Sequence, residues 1–233
     1  MQGWILPPPA EPTKSARAFA AERRAKVRWL VQQGLLRSAR IRRALLRVRR
    51  EDFIPRAYRD YAYQEVPLPL PGEQATISCP HSYPLFYEPL GLDAGQRFLE
   101  IGTGSGYGSA VAREVVGSGG LVVSIEIDPV THAFARANLE RAGYRDVVLI
   151  LGDGGLGYAE QSPYDRIAIT AACDDIPPPL IAQLRIGGRL ITPQREGGRQ
   201  NLVLVEKRRD GLTWQTLCEV LYVPLRGAYG VRS

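Results

Sequence analysis

Lysine is nearly missing from this 233-residue chain: only Lys14, Lys26 and Lys207 occur, so 27 of the 30 basic residues are arginine. Against 24 acidic residues the formal net charge is +6. A basic balance invites a nucleic-acid partner. An arginine preference spread over the whole chain, however, reads as a habit of composition or thermal adaptation, and the charge is set aside as evidence of a partner. Histidine is scarcer still, with His81 and His132 alone, and the three cysteines, Cys79, Cys173 and Cys218, lie far apart with no C-x-x-C pair. Neither a disulfide framework nor a metal site is expected. No apolar run approaches the roughly 18 residues of a membrane span. The opening Met1-Gln2-Gly3-Trp4-Ile5-Leu6, followed by Pro7-Pro8-Pro9, is too short and uncharged to read as a signal peptide, so a cytoplasmic location is expected. With 45% hydrophobic and 23% charged residues the chain can bury one substantial core.

What is present is concentrated in Arg97-Phe98-Leu99-Glu100-Ile101-Gly102-Thr103-Gly104-Ser105-Gly106-Tyr107-Gly108. An apolar run ending in alternate glycines reads as a buried strand, a tight turn and the start of a helix. Such a turn either cradles a nucleotide-type cofactor or serves close packing alone. The dinucleotide fingerprint would need glycine where Tyr107 stands, so a diphosphate is not the best fit. Glu100 lies just before the turn. Glu126 ends the next apolar run, 121–125, where a carboxylate can accept two hydrogen bonds from ribose hydroxyls.

Along the chain, residues 1–14 carry Pro7, Pro8, Pro9 and Pro12 and read as a flexible, Pro-rich tail. A helix is predicted over 15–33, with Phe19, Val27, Leu30 and Val31 inward and Gly34 as its stop. A second begins near Ser38, turns Ile41, Leu45 and Val48 inward, and displays Arg37, Arg40, Arg42, Arg43, Arg47, Arg49 and Arg50. That face is either RNA-facing or simply solvated. The proline-rich 66–72 reads as an ordered covering loop. Downstream the spacing predicts strands over 147–151, 164–172 and 189–192, a helix holding Phe134, Ala137 and Leu139, and a short helix opened by Pro177-Pro178-Pro179 and stopped by Gly187-Gly188. A final antiparallel hairpin over 201–206 and 214–223 follows. Asp153, between Gly152 and Gly154, can receive an adenine amino group or make an Asx turn. Ser78 can cap a helix before His81 or meet a ligand.

Several stretches together carry a resemblance. Asp52-Phe53-Ile54-Pro55, Tyr61-Ala62-Tyr63, Gln74-Ala75-Thr76-Ile77-Ser78 with Pro80-His81, and Leu99 through Tyr107 resemble, in order and spacing, the protein-L-isoaspartate O-methyltransferases over about 37–225. The resemblance implies an α/β fold: a doubly wound, mostly parallel seven-stranded, Rossmann-like methyltransferase sheet with an N-terminal helical addition and exchanged final strands. The expected parts are the tail 1–14, helices and covering loop 15–75, and a methyltransferase domain 76–233. It implies methyl transfer from S-adenosyl-L-methionine, leaving S-adenosyl-L-homocysteine, to the free α-carboxylate of L-isoaspartyl residues in damaged proteins and peptides. The ester then closes to a succinimide, whose opening returns some normal aspartate.

By the same resemblance Ser78 is the catalytic candidate. Ala75, Thr76, Ile77, Glu100, Gly102, Thr103, Gly104, Ser105, Gly106, Glu126, Ile127, Asp153 and Gly154 would hold the cofactor. Ser78, Ala171, Ala172, Val223 and Leu225, with Tyr222 and Pro224, would line the peptide groove. Three positions depart from the family pattern: Cys79 for alanine or glutamine, Tyr83 for a second histidine, and Glu65 for aspartate. No metal, membrane or nucleic-acid partner is implied, and a monomer is expected. A nucleic-acid methyltransferase on this fold would carry [DN]-P-P-[FYW] after the fourth strand, where Thr170-Ala171-Ala172-Cys173 stands, or a Pro-Cys nucleophile, which Cys79-Pro80 reverses. The remaining rival is a non-catalytic cofactor-binding protein that recruits partners through its prolines.

Overall fold

The computed structural model describes residues 7–72 and 75–231, so Met1 to Leu6, Gln74 of the motif and the last two residues lie outside the described residues. Two helices lead: α1 (Ala16–Gln32), capped by the Ser15 hydroxyl on the Ala18 amide, and α2 (Ala39–Arg47), capped by Ser38 on the Ile41 amide. Phe19, Val27 and Leu30 face the core as expected, whereas Val31 is exposed, one step round the helix from the buried stripe. Residues 7–14 have no helix or strand. The Ala10 amide bonds the Ala57 carbonyl, and Thr13 donates through its amide and hydroxyl to Asp60 at 2.7 and 2.8 Å.

The proline-rich cover is not only a loop: β1 (Leu68–Pro69) pairs antiparallel with β2 (Thr76–Ile77), Leu68 opposite Ile77. After α3 (Ser82–Leu90) come β3 (Arg97–Ile101), α4 (Tyr107–Val116), β4 (Leu121–Glu126), α5 (Pro129–Ala142), β5 (Val148–Leu151), β6 (Tyr164–Ile169), α6 (Pro178–Gln183), β7 (Leu184–Glu196), β8 (Arg199–Arg208) and β9 (Gly211–Glu219). The seven long strands stand in the order β5-β4-β3-β6-β7-β8-β9. The first five run parallel, and β8 and β9 are antiparallel, so the last two follow in chain order at one edge. Gly197 and Gly198, at φ +55° and +80°, make the two-residue turn between β7 and β8, a conformation other residues resist. The last strand stops at Glu219, and 220–225 leave the sheet edge for the cleft.

The central strands read as near-continuous apolar runs because both faces are covered. Phe98, Val122 and Ala168 join a cluster with Phe19, Leu45, Phe53 and Val111, so the N-terminal helices share one core with the sheet. Leu99, Val123, Ile167 and Leu190 pack on the opposite face with Leu180. In α5 the buried stripe is Thr131, His132, Ala135, Asn138 and Leu139. Ala137, expected inside, is exposed, because the stripe follows 131, 135 and 138.

Candidate active site

The strand order reverses between β3 and β6, the place where open α/β sheets receive ligands beyond their carboxyl ends. There the chain turns through Gly102 and Gly104, at φ +91° and +55°. A Cβ on Gly102 would lie 2.5 Å from Thr170 Oγ1, so the end of β6 leaves no room for a side chain. Thr170 Oγ1 sits 2.9 Å from the carbonyls of both Ile101 and Gly102 and ties the turn to β6. Sheet register places Glu100 opposite Ser124, whose hydroxyl donates to Glu100 Oε2 at 2.8 Å, and the Ser109 hydroxyl donates to the same oxygen. Burial pushes the Glu100 carboxyl up to about 7, against the two hydroxyls and with help from the Glu126 charge. Glu126 differs. Its carboxylate accepts from the amides of Gly104 at 3.0 Å, Ile127 at 3.0 Å and Asp128 at 3.1 Å, which fixes the glycine turn to the end of β4.

Glu100, Gly102, Gly104, Glu126, Ile127 and Thr170 line a cavity of about 920 Å³ together with Ala75, Thr76, Ile77, Ser78, Thr103, Ser105, Gly154, Ala171, Val223 and Leu225. Most of the expected site residues therefore converge. Three do not. Gly106 starts α4 and stands behind the turn, and Ala172 spends its backbone on the C-terminal segment, donating to Val223 O at 2.8 Å and accepting from the Leu225 amide at 2.7 Å. Asp153, a candidate for the adenine, does not line the cavity: Oδ1 accepts from the Gly155 amide and Oδ2 from the Ala228 amide, at 2.8 and 2.7 Å. The Asx turn is thus realised, and the carboxylate also pins the chain end. A Cβ on Gly227 would meet that carboxylate at 2.4 Å.

The facing wall depends on Arg50. Counted among the displayed arginines, it is 1% exposed, because the chain leaves α2 before reaching it and turns it inward. Its Nε donates to Ala62 O and its Nη2 to Ser78 O, both at 2.7 Å, and the guanidinium stacks near the Tyr83 and Tyr107 rings. Arg50 thereby holds the backbone of the catalytic candidate. No periodic signal marks it; only the tertiary fold does. Ser78 caps no helix, since α3 begins four residues later behind His81. Tyr83, which departs from the family pattern, lines the cavity and meets Tyr107 edge-on at 4.7 Å, and burial pushes its hydroxyl up to about 12.

Beside Ser78, Glu65 joins two segments: Oε1 pairs with Lys26 Nζ at 2.9 Å and Oε2 with His81 Nδ1 at 2.6 Å. Sequence spacing offered no metal-ligand pattern, yet the fold gathers Glu65, Cys79 and His81 with one ligand atom each inside 4.8 Å. Burial and the Glu65 charge push the Cys79 thiol up to about 11. Thr170, Leu85, Cys218 and Arg226 also line the cleft without having been expected there. They come from a strand end, a helix, the edge strand and the C-terminal segment, and share no local motif.

The sequence profile of the protein-L-isoaspartate(D-aspartate) O-methyltransferase family matches residues 21–230. A Hyperthermus butylicus protein-L-isoaspartate O-methyltransferase is 45% identical over 230 residues, covering 95% of each chain. Protein-L-isoaspartate O-methyltransferase 1 of Archaeoglobus fulgidus is 45% identical over 195 residues, covering 84% of this chain and 89% of its own. A solved protein-L-isoaspartate O-methyltransferase, 36% identical, superposes with a TM-score of 0.83 over 89% of this chain and 67% of its own. A Plasmodium falciparum structure assigned to the beta-aspartate methyltransferases, in complex with S-adenosyl-L-homocysteine, has the same fold: 22% identity, TM-score 0.77, coverage 88% and 98%.

Proposed function

The chain belongs to the protein-L-isoaspartate(D-aspartate) O-methyltransferase family, and from that premise we propose which of its residues do the work of the repair reaction. The enzyme transfers a methyl group from S-adenosyl-L-methionine to L-isoaspartyl residues of proteins. The observation that carries the residue assignment is convergence: the glycine turn, Glu126, Ser78 and the 222–225 segment, far apart in the chain, face one cavity.

The cradle fits the cofactor. Gly102 and Gly104 expose backbone where a side chain would intrude, and Glu126, already oriented by three amides, keeps one lone pair, on Oε2, for a ribose hydroxyl. When bound, S-adenosyl-L-methionine supplies an electrophilic methyl on a sulfonium. A free α-carboxyl titrates at roughly 3.3 to 3.7, so the nucleophile is already an anion at neutral pH and no general base is required. The protein's task is alignment of carboxylate oxygen, methyl carbon and sulfur. Ser78 donates its hydroxyl to the substrate carboxylate from a backbone that Arg50 fixes. Ala171, Val223 and Leu225 form the opposite side of the groove, with Asp153 holding the strap that carries two of them.

Among the described residues no helix is long and apolar enough to cross a membrane. We place the enzyme in the cytoplasm as a monomer; its three free thiols accord with a reducing compartment.

The test is transfer of labelled methyl to paired isoaspartyl and aspartyl peptides, with bulk tRNA as a third acceptor. A normal aspartyl residue moves its carboxylate by one methylene, and misplacement by about 1 Å can lower the rate on the order of a hundredfold. Equal rates on the two peptides, or faster transfer to tRNA, overturn the reading. Ser78→Ala should lower the rate roughly ten- to two-hundredfold, the value of one hydrogen bond to a charged acceptor at about 1.5 to 3 kcal/mol.

A further inference from the structure

Cys79, His81 and Glu65 flank the catalytic candidate without a part in the reaction described above. Their assembly follows from the β1–β2 pairing: with Leu68 opposite Ile77, the antiparallel chains carry residue 65 back alongside residues 79–81. The result is a thiol, an imidazole nitrogen and a carboxylate oxygen within 4.8 Å of one another. Three donors of different chemistry in that space match the ligand types of zinc. Cys79 and His81 both line the cleft, and the His81 side chain is 34% exposed, so a cation can arrive from the cavity.

We propose that Glu65, Cys79 and His81 form a site for a thiophilic divalent cation, zinc or its analogue cadmium, and that a cation held there blocks methyl transfer.

Tetrahedral bonds of about 2.0 to 2.3 Å separate ligand atoms by roughly 3.3 to 3.7 Å. The 2.6 Å contact between His81 Nδ1 and Glu65 Oε2 therefore opens by about 0.7 to 1.1 Å, and the thiol, within 4.8 Å of both, closes by at most about 1.5 Å. The balance is simple. The Cys79 S–H bond breaks, its proton leaves to solvent, and a sulfur–metal bond forms. The proton now joining Nδ1 to Oε2 is lost to solvent and Nε2 carries the one proton of the neutral imidazole, taking it from solvent where it was bare, so that Nδ1 gives its lone pair to the metal. Thiolate and carboxylate neutralise the two charges of the cation. Lys26 keeps Oε1 of Glu65, so the carboxylate binds through one oxygen. Lys26 and Arg50 also oppose a cation, which makes the site reversible and open to chelators. The fourth metal position faces the cleft beside Ser78, where a substrate carboxylate would be captured away from the methyl group.

The binding arm uses no activity. Full-length protein is titrated with cadmium and the ultraviolet thiolate-to-cadmium absorption is followed. One equivalent should saturate the band. Cys79→Ser should abolish it, Cys218→Ser should retain it, and His81→Ala or Glu65→Gln should weaken binding at least about tenfold. Circular dichroism confirms that each variant is folded, and Cys79→Ala serves as a second thiol variant. A band that survives in folded Cys79→Ser and disappears in Cys218→Ser, or no band in the unmodified protein, overturns the site. The inhibition arm rests on the proposed function: zinc should stop transfer to an isoaspartyl peptide, a chelator should restore it, and Cys79→Ser should be insensitive relative to its own metal-free rate. Binding without inhibition overturns the block. Absence of transfer in metal-free protein counts against the proposed function alone.

Discussion

In one wall of the cleft, the sheet ends at 100–108 and 126–128, the two acids bond groups of the neighbouring strand and of the turn and helix start beside them, while Tyr87 and Asn138 reach the carbonyls of Gly108 and Ser105. Glu126 holds the amides of Gly104, Ile127 and Asp128, and Glu100 holds the hydroxyls of Ser109 and Ser124. The facing wall, residues 62–81 with the strap 222–231, is fastened by side chains from elsewhere: Arg50 on Ala62 and Ser78, Lys26 on Glu65, Thr131 on the Pro71 carbonyl, and Asp153 on Ala228. Both walls are ordered, but by different means. The first is part of the sheet and would persist while the sheet does; the second depends on a few single side chains. Fixing the acceptor thus relies on separable fastenings, while holding the cofactor is a property of the core.

The sharpest way to break that contrast is Arg50→Met. The buried Ala62 carbonyl and the half-buried Ser78 carbonyl lose their donor, at about 1 to 3 kcal/mol for the first and less for the second, so unfolding in urea should show a loss of about 2 to 5 kcal/mol. A loss under 1 kcal/mol would mean that the second wall does not hang on Arg50. Arg50→Lys should recover part of the loss, because one ammonium reaches one carbonyl but not both in the guanidinium's planar geometry.

Next in size is Glu126→Ala, which acts on the first wall. Removing the acceptor for ribose should raise the dissociation constant of S-adenosyl-L-homocysteine roughly ten- to two-hundredfold, equivalent to about 1.5 to 3 kcal/mol. Calorimetric titration measures this directly, and an unchanged constant would remove Glu126 from the site.

Glu100→Gln separates the two acids of the same wall. The Glu100 carboxyl is raised by burial to about 7, so the folded state binds a proton that the unfolded state releases near 4.5. Stability from that group is present below about 4.5 and falls as pH rises through 7, by on the order of 3 kcal/mol. The glutamine variant carries no such charge. It should therefore be the more stable protein at pH 8, by on the order of 1 to 3 kcal/mol, with the difference shrinking toward pH 4.5. Thermal melting of both proteins across that range checks the sign, and a variant that loses stability at pH 8 contradicts it.

The smallest expected effect is the most discriminating. Asp153→Asn leaves an oxygen for one of the two amides and turns its NH₂ toward the other, loosening the strap at Ala228. The KM for peptide should rise about three- to tenfold, a change of roughly 0.5 to 1.5 kcal/mol, with cofactor affinity unchanged. If instead the affinity for S-adenosyl-L-homocysteine drops and the peptide KM stays, Asp153 serves the cofactor and not the strap.

The sequence by itself determined the first wall and the architecture. Apolar runs ending in Gly102-Thr103-Gly104 and in Glu126 mark strand ends because a strand buried on both faces has one readable pattern, and positive φ has one favoured residue. Helix starts at Ser15 and Ser38 were legible for the same local reason, since a cap is made within three residues. Only the tertiary structure decided that Arg50 is buried while its neighbour Arg49 is exposed, that Asp153 faces the chain end, and that Glu65 meets Cys79 and His81. A charged or polar side chain has no periodicity of its own. Whether it meets solvent, a carbonyl or another side chain depends on which distant backbone the core brings to it, and that is settled only when the whole chain has packed.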